Sequence, residues 1–377
     1  MKSNCMRFFG LLLSFVLLFS LNVSAQDKDE NPFKMTPVKI LKTTSVKNQG
    51  GTSTCWSFGT TSMIESELIR LGKGEFDLSE MYTVRNTYNN KATDYIRWHG
   101  NTTFAPGGAQ HDVTNMWKKY GMVPDEAYSG LKKGVSLHNH GAMHKILDGF
   151  IQLVLESNGK FPHWQHSFSQ LTDSYLSKNP RKFNYEGEEY TPKTFAEMLE
   201  INPDDYIEFS SYTHHPFYEK FALEVPDNWA HNTVYNVPID ELMEIMEYSI
   251  MKGYSISWAA DISSLNFAKG VAMVPADDKQ EIKPGIEEKE ITQKIRQQNF
   301  DAWTLTDDHC MHIMGIAKDQ NGKKYFKEKN SWGVRGVYEG YSYMSYEWMR
   351  LRTMSIMVHK DAIPEEIARK IGMIHGH

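Results

Sequence analysis

The segment Gln49-Gly50-Gly51-Thr52-Ser53-Thr54-Cys55-Trp56-Ser57-Phe58 sets a cysteine at the end of a turn of small residues and at the mouth of a helix. Ile64, Leu68 and Leu71 recur at helical spacing behind it, and Gly72 is a natural stop, so the reading is a helix over 55–71. A thiol at a helix N-terminus meets the positive end of the dipole and unpaired N–H groups, which favours the thiolate. Gln49 lies six residues upstream. Its amide can fold back across the turn and, with the Cys55 backbone N–H, hold a developing oxyanion.

A thiolate nucleophile needs a base, and the base needs a group that orients it. Residues 311–317, 325–330 and 337–344 read as strands, the last alternating and rich in Gly and Tyr. His309 precedes the first of these, and Asn330-Ser331-Trp332-Gly333 ends the second. Their separation suits neighbouring antiparallel strands. Such a pair brings His309 and Asn330 together, with Trp332 screening their hydrogen bond from water.

The rest of the chain fits this frame. A second helix is expected over about 110–120, where Val113, Met116, Trp117 and Tyr120 share a face and Gly121 ends it. Residues 131–215 read as polar, His-rich and mainly helical, and Ile239 to Lys252 as a further helix. Tyr254 to Asp261 begins a change of character, and Glu365 to Ile371 closes the chain as a short helix. A helical first third and a β-rich last third predict an α+β protein with two lobes.

The 377 residues carry 41 Lys plus Arg against 47 Asp plus Glu, for a net charge of -6. There is no basic stripe, so nucleic acid is not an expected partner. The apolar run Phe8 to Leu21 follows Lys2 and Arg7 and precedes Val23-Ser24-Ala25. It reads as a secretory signal peptide, residues 1–25, cut after Ala25. The run is shorter than the ~20 residues that span a bilayer, so no stable membrane insertion is expected after cleavage. A secreted or periplasmic protein follows, with a flexible leader over 26–45 and one folded domain over 46–377. Removing Cys5 leaves Cys55 and Cys310, too few for a disulfide scaffold.

Gln49-x5-Cys55-Trp56-Ser57-Phe58, His309 and Asn330-Ser331-Trp332-Gly333 together resemble the papain-like cysteine peptidases. Gly107-Gly108 and the following helix to Lys119-Tyr120-Gly121 are similar to that family's substrate-backbone-binding glycines and next helix. Cys55 to His309 spans 254 residues, against roughly 130 in the papain pattern, which leaves an insertion of about 120 residues, mainly helical and at about 131–250. The bleomycin hydrolase / aminopeptidase C group carries such an insertion. Gly253 to Asp261, Ile291 through Arg296 and Phe300 to His309, and Ile363-Pro364-Glu365-Glu366-Ile367 resemble that group.

The resemblance implies a two-lobed papain-like fold, a helical lobe facing an antiparallel β lobe, and a secreted thiol peptidase acting on peptides. Cys55 would attack the amide carbonyl, His309 would pair with it and protonate the leaving amine, Asn330 would orient His309, and Gln49 would donate to the oxyanion. Gly107, Gly108, Asp308 and Trp332 would contact substrate. No cofactor and no metal are expected.

Three departures from the pattern matter. Cys310 follows the histidine where a small residue is usual, and strand alternation turns it to the core. Thr52 replaces a cysteine, so the family disulfide there is absent. The C-terminal arm whose carboxylate reads a substrate's amino terminus in that group has no counterpart at Gly372 to His377. An aminopeptidase on short peptides is the preferred reading; an endo-acting oligopeptidase, a thiol amidohydrolase and an inactive peptide-binding module remain alternatives. An oligomer stays open, and the hexameric ring of the group is not expected. His138, His140 and His144, and likewise His214-His215, match no standard zinc spacing and read as solvated histidines.

Overall fold

The computed structural model describes residues 31–263 and 267–373. The N-terminal apolar run, its expected cleavage point, Cys5, and the terminal His375-Gly376-His377 lie outside the described residues. Among the described residues no helix is long and apolar enough to cross a membrane.

One lobe is helical. The helices Cys55–Arg70, Glu80–Arg97 and Gln110–Tyr120 are joined there by Gly141–Glu156, Trp164–Leu176 and Pro192–Met198 from the middle of the chain. A single apolar cluster runs through them, from Trp56 and Leu68 to Ile151 and Phe195. The first and third helices follow the expectation closely. Glu80–Arg97 buries Met81, Val84, Tyr88 and Ala92 at helical spacing, with the polar Arg85, Asn86, Thr87 and Lys91 buried among them. Those groups are satisfied in place: Arg85 pairs with Asp173, and Asn86 donates to Tyr82 O at 2.9 Å. Ser79 caps the helix by accepting from the Tyr82 N–H.

The other lobe is an eleven-stranded, largely antiparallel sheet. Its middle is Thr353–His359, Ile256–Ala260, His309–Lys318, Lys324–Lys329 and Tyr341–Ser345, in that spatial order, all antiparallel. Thr36–Ile40 pairs with the far half of His309–Lys318. Every residue from His309 to Ala317 is buried, the mark of a strand covered on both faces. One face meets the core of the sheet lobe, through Met311 and Ile313; the other meets the Cys55 helix, through Cys310 and His312.

The middle segment divides between the lobes. Helices dominate its regular structure as far as Leu199, but Tyr206–Ser210, Lys220–Ala222 and Thr233–Asn236 then extend the sheet beyond Thr353–His359. Tyr206–Ser210 is buried on both faces at most positions and does not alternate, so no period of two marks it in the sequence.

The lobes meet where the Cys55 helix lies on the His309 strand. A Cβ placed on Gly59 would stand 3.0 Å from the Cys310 carbonyl oxygen and 3.1 Å from the Met311 Cα. Around that contact, Thr60 Oγ1 bonds Ser257 Oγ at 2.8 Å and Ser62 Oγ bonds His312 Nδ1 at 2.9 Å. Gly59→Val is expected to push helix and strand apart and to cost about 1–3 kcal/mol, as overpacking does. A lower urea midpoint for the variant checks this; an unchanged midpoint contradicts it.

Candidate active site

The turn before Cys55 is held from three sides. Lys47 sits in a nest of Glu65, Glu80 and Asp77; burial works against its charge, but the three carboxylates hold it protonated. The Gln49 N–H donates to Ser331 O at 2.8 Å, and the Gly333 N–H to Lys47 O at 2.9 Å. On the other flank Gly51 and the middle segment exchange backbone bonds: Gly51 N–H to His138 O and His140 N–H to Gly51 O, both 3.0 Å. Gly50 must be glycine there. Its φ is +67°, and a Cβ would overlap the His138 carbonyl.

Gln49 is buried, and its Oε1 accepts from the Ser331 hydroxyl at 2.6 Å. That bond fixes which way the amide points and leaves Nε2 as the free donor. Cys55 is the first residue of its helix, so its own N–H belongs to the first turn, where no intrahelical acceptor exists. Gln49 and the Cys55 N–H are therefore donors of the kind an oxyanion needs.

His309 opens its strand, and Asn330 lies one residue past the neighbouring strand. His309 Nε2 and Asn330 Oδ1 stand 2.9 Å apart. Asn330 Oδ1 also accepts the Ser331 N–H at 2.7 Å, so it is the acceptor, Nε2 carries the proton, and Nδ1 is the basic nitrogen. Trp332 stacks on the imidazole at 4.5 Å between ring centres, and Arg335 lies 4.6 Å from the indole centre.

The electrostatics differ from the sequence expectation. Burial pushes the Cys55 thiol well above the ordinary range, with Cys310 and Asp227 adding to the shift. The Cys310 and Trp56 N–H groups oppose it without overcoming it. Burial also pushes His309 down to about 4, against the Asn330 bond and with the help of Arg335. Both shifts favour the uncharged forms, a thiol and a neutral imidazole, over a standing thiolate. Cys310 points inward, as expected, and is buried against Ser257 Oγ at 3.4 Å; both cysteines are free thiols.

Gly107 and Gly108 lie beside Cys55. Trp56 Nε1 donates to Pro106 O at 3.1 Å, and Lys91 Nζ bonds the carbonyls of Ala105 and Gly107. A Cβ on Gly108 would stand 2.9 Å from the Trp56 ring. Asp308 is exposed and turned elsewhere: its carboxylate accepts the Ile262 N–H at 3.3 Å. The preceding residue, Asp307, is the one that faces the cleft, where it accepts the Asp227 N–H at 2.6 Å. Ser331 and Asp227 had no assigned part in the sequence reading. Ser331 sits inside a motif already singled out and was within reach; Asp227 lies far along the chain with no local pattern.

The histidine side chains are not part of this site, although the His138 and His140 backbones hold its turn. The His138 and His140 rings meet edge to face, 5.5 Å between centres, His144 packs on Phe104, and His140 is buried, not solvated as the sequence suggested. His214 and His215 each place Nε2 on Glu224, at 3.1 and 2.6 Å.

The depressed His309 has a direct consequence. Its ring is expected to keep the neutral nitrogen pattern by NMR from pH 8 down to about 5, and to titrate near 4. A midpoint near the ordinary histidine value of about 6.5 would contradict the burial argument.

Known proteins resemble this chain in sequence and fold. The model of the peptidase C1-like family matches residues 170–374. Aminopeptidase C of Streptococcus thermophilus is 23% identical over 387 aligned positions, covering 90% of this chain and 85% of the relative. Aminopeptidase W of Lactobacillus delbrueckii subsp. lactis is 24% identical, covering 87% and 83%. The crystal structure of PepW from Lactobacillus rhamnosis HN001 superposes with a TM-score of 0.71 at 18% identity, over 89% of this chain and 84% of that one. The fold is thus papain-like, and the chain belongs to the peptidase C1-like family of cysteine peptidases.

Proposed function

We propose that this protein hydrolyses peptide bonds through an acyl-enzyme on Cys55 and that it acts from the free amino end of short peptides. The observation that carries the reading is the fixed His309–Asn330 pair at the end of the strand on which the Cys55 helix lies. The names of the relatives, aminopeptidases C and W, support the exo-acting form.

The chemistry follows from the tautomer. Nδ1 of His309 takes the Cys55 thiol proton as sulfur attacks the substrate carbonyl carbon, so the nucleophile is made at the moment of attack. The carbonyl oxygen becomes an oxyanion between Gln49 Nε2 and the Cys55 N–H. The C–N bond breaks as His309 returns the proton to the leaving amine. A water then attacks the thioester, gives its proton to His309, and releases the acid and the thiol. Asn330 holds the ring throughout, and Trp332 covers their bond. No step calls for a cofactor.

Cys55→Ala is expected to abolish turnover of amino-terminally free peptides under reducing conditions. Persistence of activity in that variant sinks the reading. Gln49→Ala removes one oxyanion donor and should lower kcat by roughly 10²–10³-fold with little change in KM. A loss confined to KM would assign Gln49 to binding instead. We also propose that the chain is exported and trimmed after Ala25. Sequencing the N-terminus of the protein recovered from the producing cell tests this: a start at Gln26 agrees, and a retained Phe8–Leu21 run does not.

A further inference from the structure

The middle segment sends one loop into the cleft. It connects Lys220–Ala222 to Thr233–Asn236, the two strands at the sheet edge, and carries Asp227 at its tip. The tip is rigid. Buried Asn228 donates to Leu223 O at 3.0 Å and to Asn232 O at 2.9 Å, and accepts the Asn232 N–H. Trp229 Nε1 donates to Asp112 Oδ2 at 2.9 Å, and the Asp227 N–H is held by Asp307.

This places the Asp227 carboxylate against the glycines beside the nucleophile. A Cβ on Gly107 would overlap it, so Gly107 leaves the room it fills. It lies close to the Gly108 N–H and within electrostatic reach of the Cys55 thiol. The carboxylate is partly open to solvent, and Lys91 is the cation near it. Its close ionisable neighbours are Asp307, Asp112 and Lys91. Asp112, fully buried behind Gly108, keeps Oδ1 without a hydrogen-bond partner. Lys91 spends its ammonium on the Ala105 and Gly107 carbonyls. Of these carboxylates Asp112 is closed off, and the nearest cation, Lys91, is committed to backbone carbonyls, so Asp227 keeps an accessible carboxylate that no protein ammonium neutralises directly.

We infer that Asp227 reads the substrate's free α-ammonium and ends the cleft upstream of the scissile bond. An extended substrate running past Cys55 and along Gly107 and Gly108 would meet the Asp227 carboxylate, which fills the room beside Gly107. The peptide must stop short of it, with its terminal ammonium on the Asp227 carboxylate. The inference rests on the peptidase reading above and adds the group that selects an amino terminus. Burial and Asp307 push Asp227 up to about 7, which favours an ionised carboxylate only when a cation arrives or the solution is neutral to alkaline.

The test compares wild-type, Cys55→Ala and Asp227→Asn proteins on aminoacyl coumarylamides with free and with acetylated amino groups. Asparagine keeps the shape and removes the charge. The wild type is expected to cleave the free form only. In Asp227→Asn, kcat/KM on the free form should fall on the order of 10²-fold, mainly through KM, and the discrimination against acetylation should collapse. Retention of the wild-type preference by Asp227→Asn overturns the assignment. Equal cleavage of both forms by the wild type, lost in Cys55→Ala, overturns it while leaving the peptidase reading intact. Cleavage of neither form overturns both. Thermal unfolding supplies a second readout that a failure to fold cannot mimic. The folded-state value near 7 lies above the free carboxyl value of 3.8, so the fold loses stability through Asp227 as pH rises from about 4 to 7. Asp227→Asn should therefore gain in Tm over wild type at pH 8 and gain little at pH 4; equal differences at both would remove the buried-carboxylate premise.

Discussion

The close approach of the Cys55 helix to the His309 strand is the contact on which the site depends. At Gly59 the two backbones come so near that a side chain there would force them apart by a few tenths of an ångström. One helical turn earlier, that approach sets Cys55 against the first residues of the strand, where the Cys310 N–H reaches the thiol. One strand over, Asn330 meets His309 because Lys324–Lys329 is in register with His309–Lys318. The proposed nucleophile, base and orienter come from three elements, and a single helix-on-strand packing distance relates them. Buried polar pairs such as Ser62 with His312, and Lys329 with Thr44 and Ser62, restrict sliding along that interface, since any slip would leave their groups unpaired.

The long middle segment is not an appendage. Its helices share the apolar cluster of the first lobe, its strands widen the sheet of the second, and two of its loops reach the cleft from opposite sides. Residues His138 to His140 brace the turn before Cys55, and the Leu223–Ala230 loop lies over Gly107 and Gly108. Cleft shape is therefore set by chain that is remote in sequence from every residue of the catalytic constellation.

Burial gives the site both its order and its electrostatic tension. It pushes the thiol up and the imidazole down, so neither charge stands ready in the free protein. The compensating groups are aimed at the reaction instead: a helix N-terminus at the sulfur, a Ser331-fixed amide at the oxyanion, and Asn330 at the proton-bearing nitrogen of the ring. Such groups act most strongly on charges that appear during the reaction, where little solvent competes.

The helix behind Cys55, the strand pair holding His309 and Asn330, and the two-lobed α+β plan were legible in the sequence. Each rests on short-range physics: an apolar stripe with a glycine stop, a buried strand run, and fixed spacing between neighbouring strands. The strands Tyr206–Ser210 and Thr353–His359 were not, because their burial is two-sided and leaves no period to read, and in the helix Glu80–Arg97 buried polar side chains interleave with the stripe of Met81, Val84, Tyr88 and Ala92. Asp308 was named through the family resemblance, and only the path of the backbone shows that its neighbour Asp307 is the carboxylate turned to the Asp227 loop. The sequence by itself determined the residue types able to make and transfer an acyl group. The tertiary structure decided their ionisation, the orientation of Gln49, and the placement of Asp227 beside Gly107, because desolvation and contacts between distant segments exist only once the chain is packed.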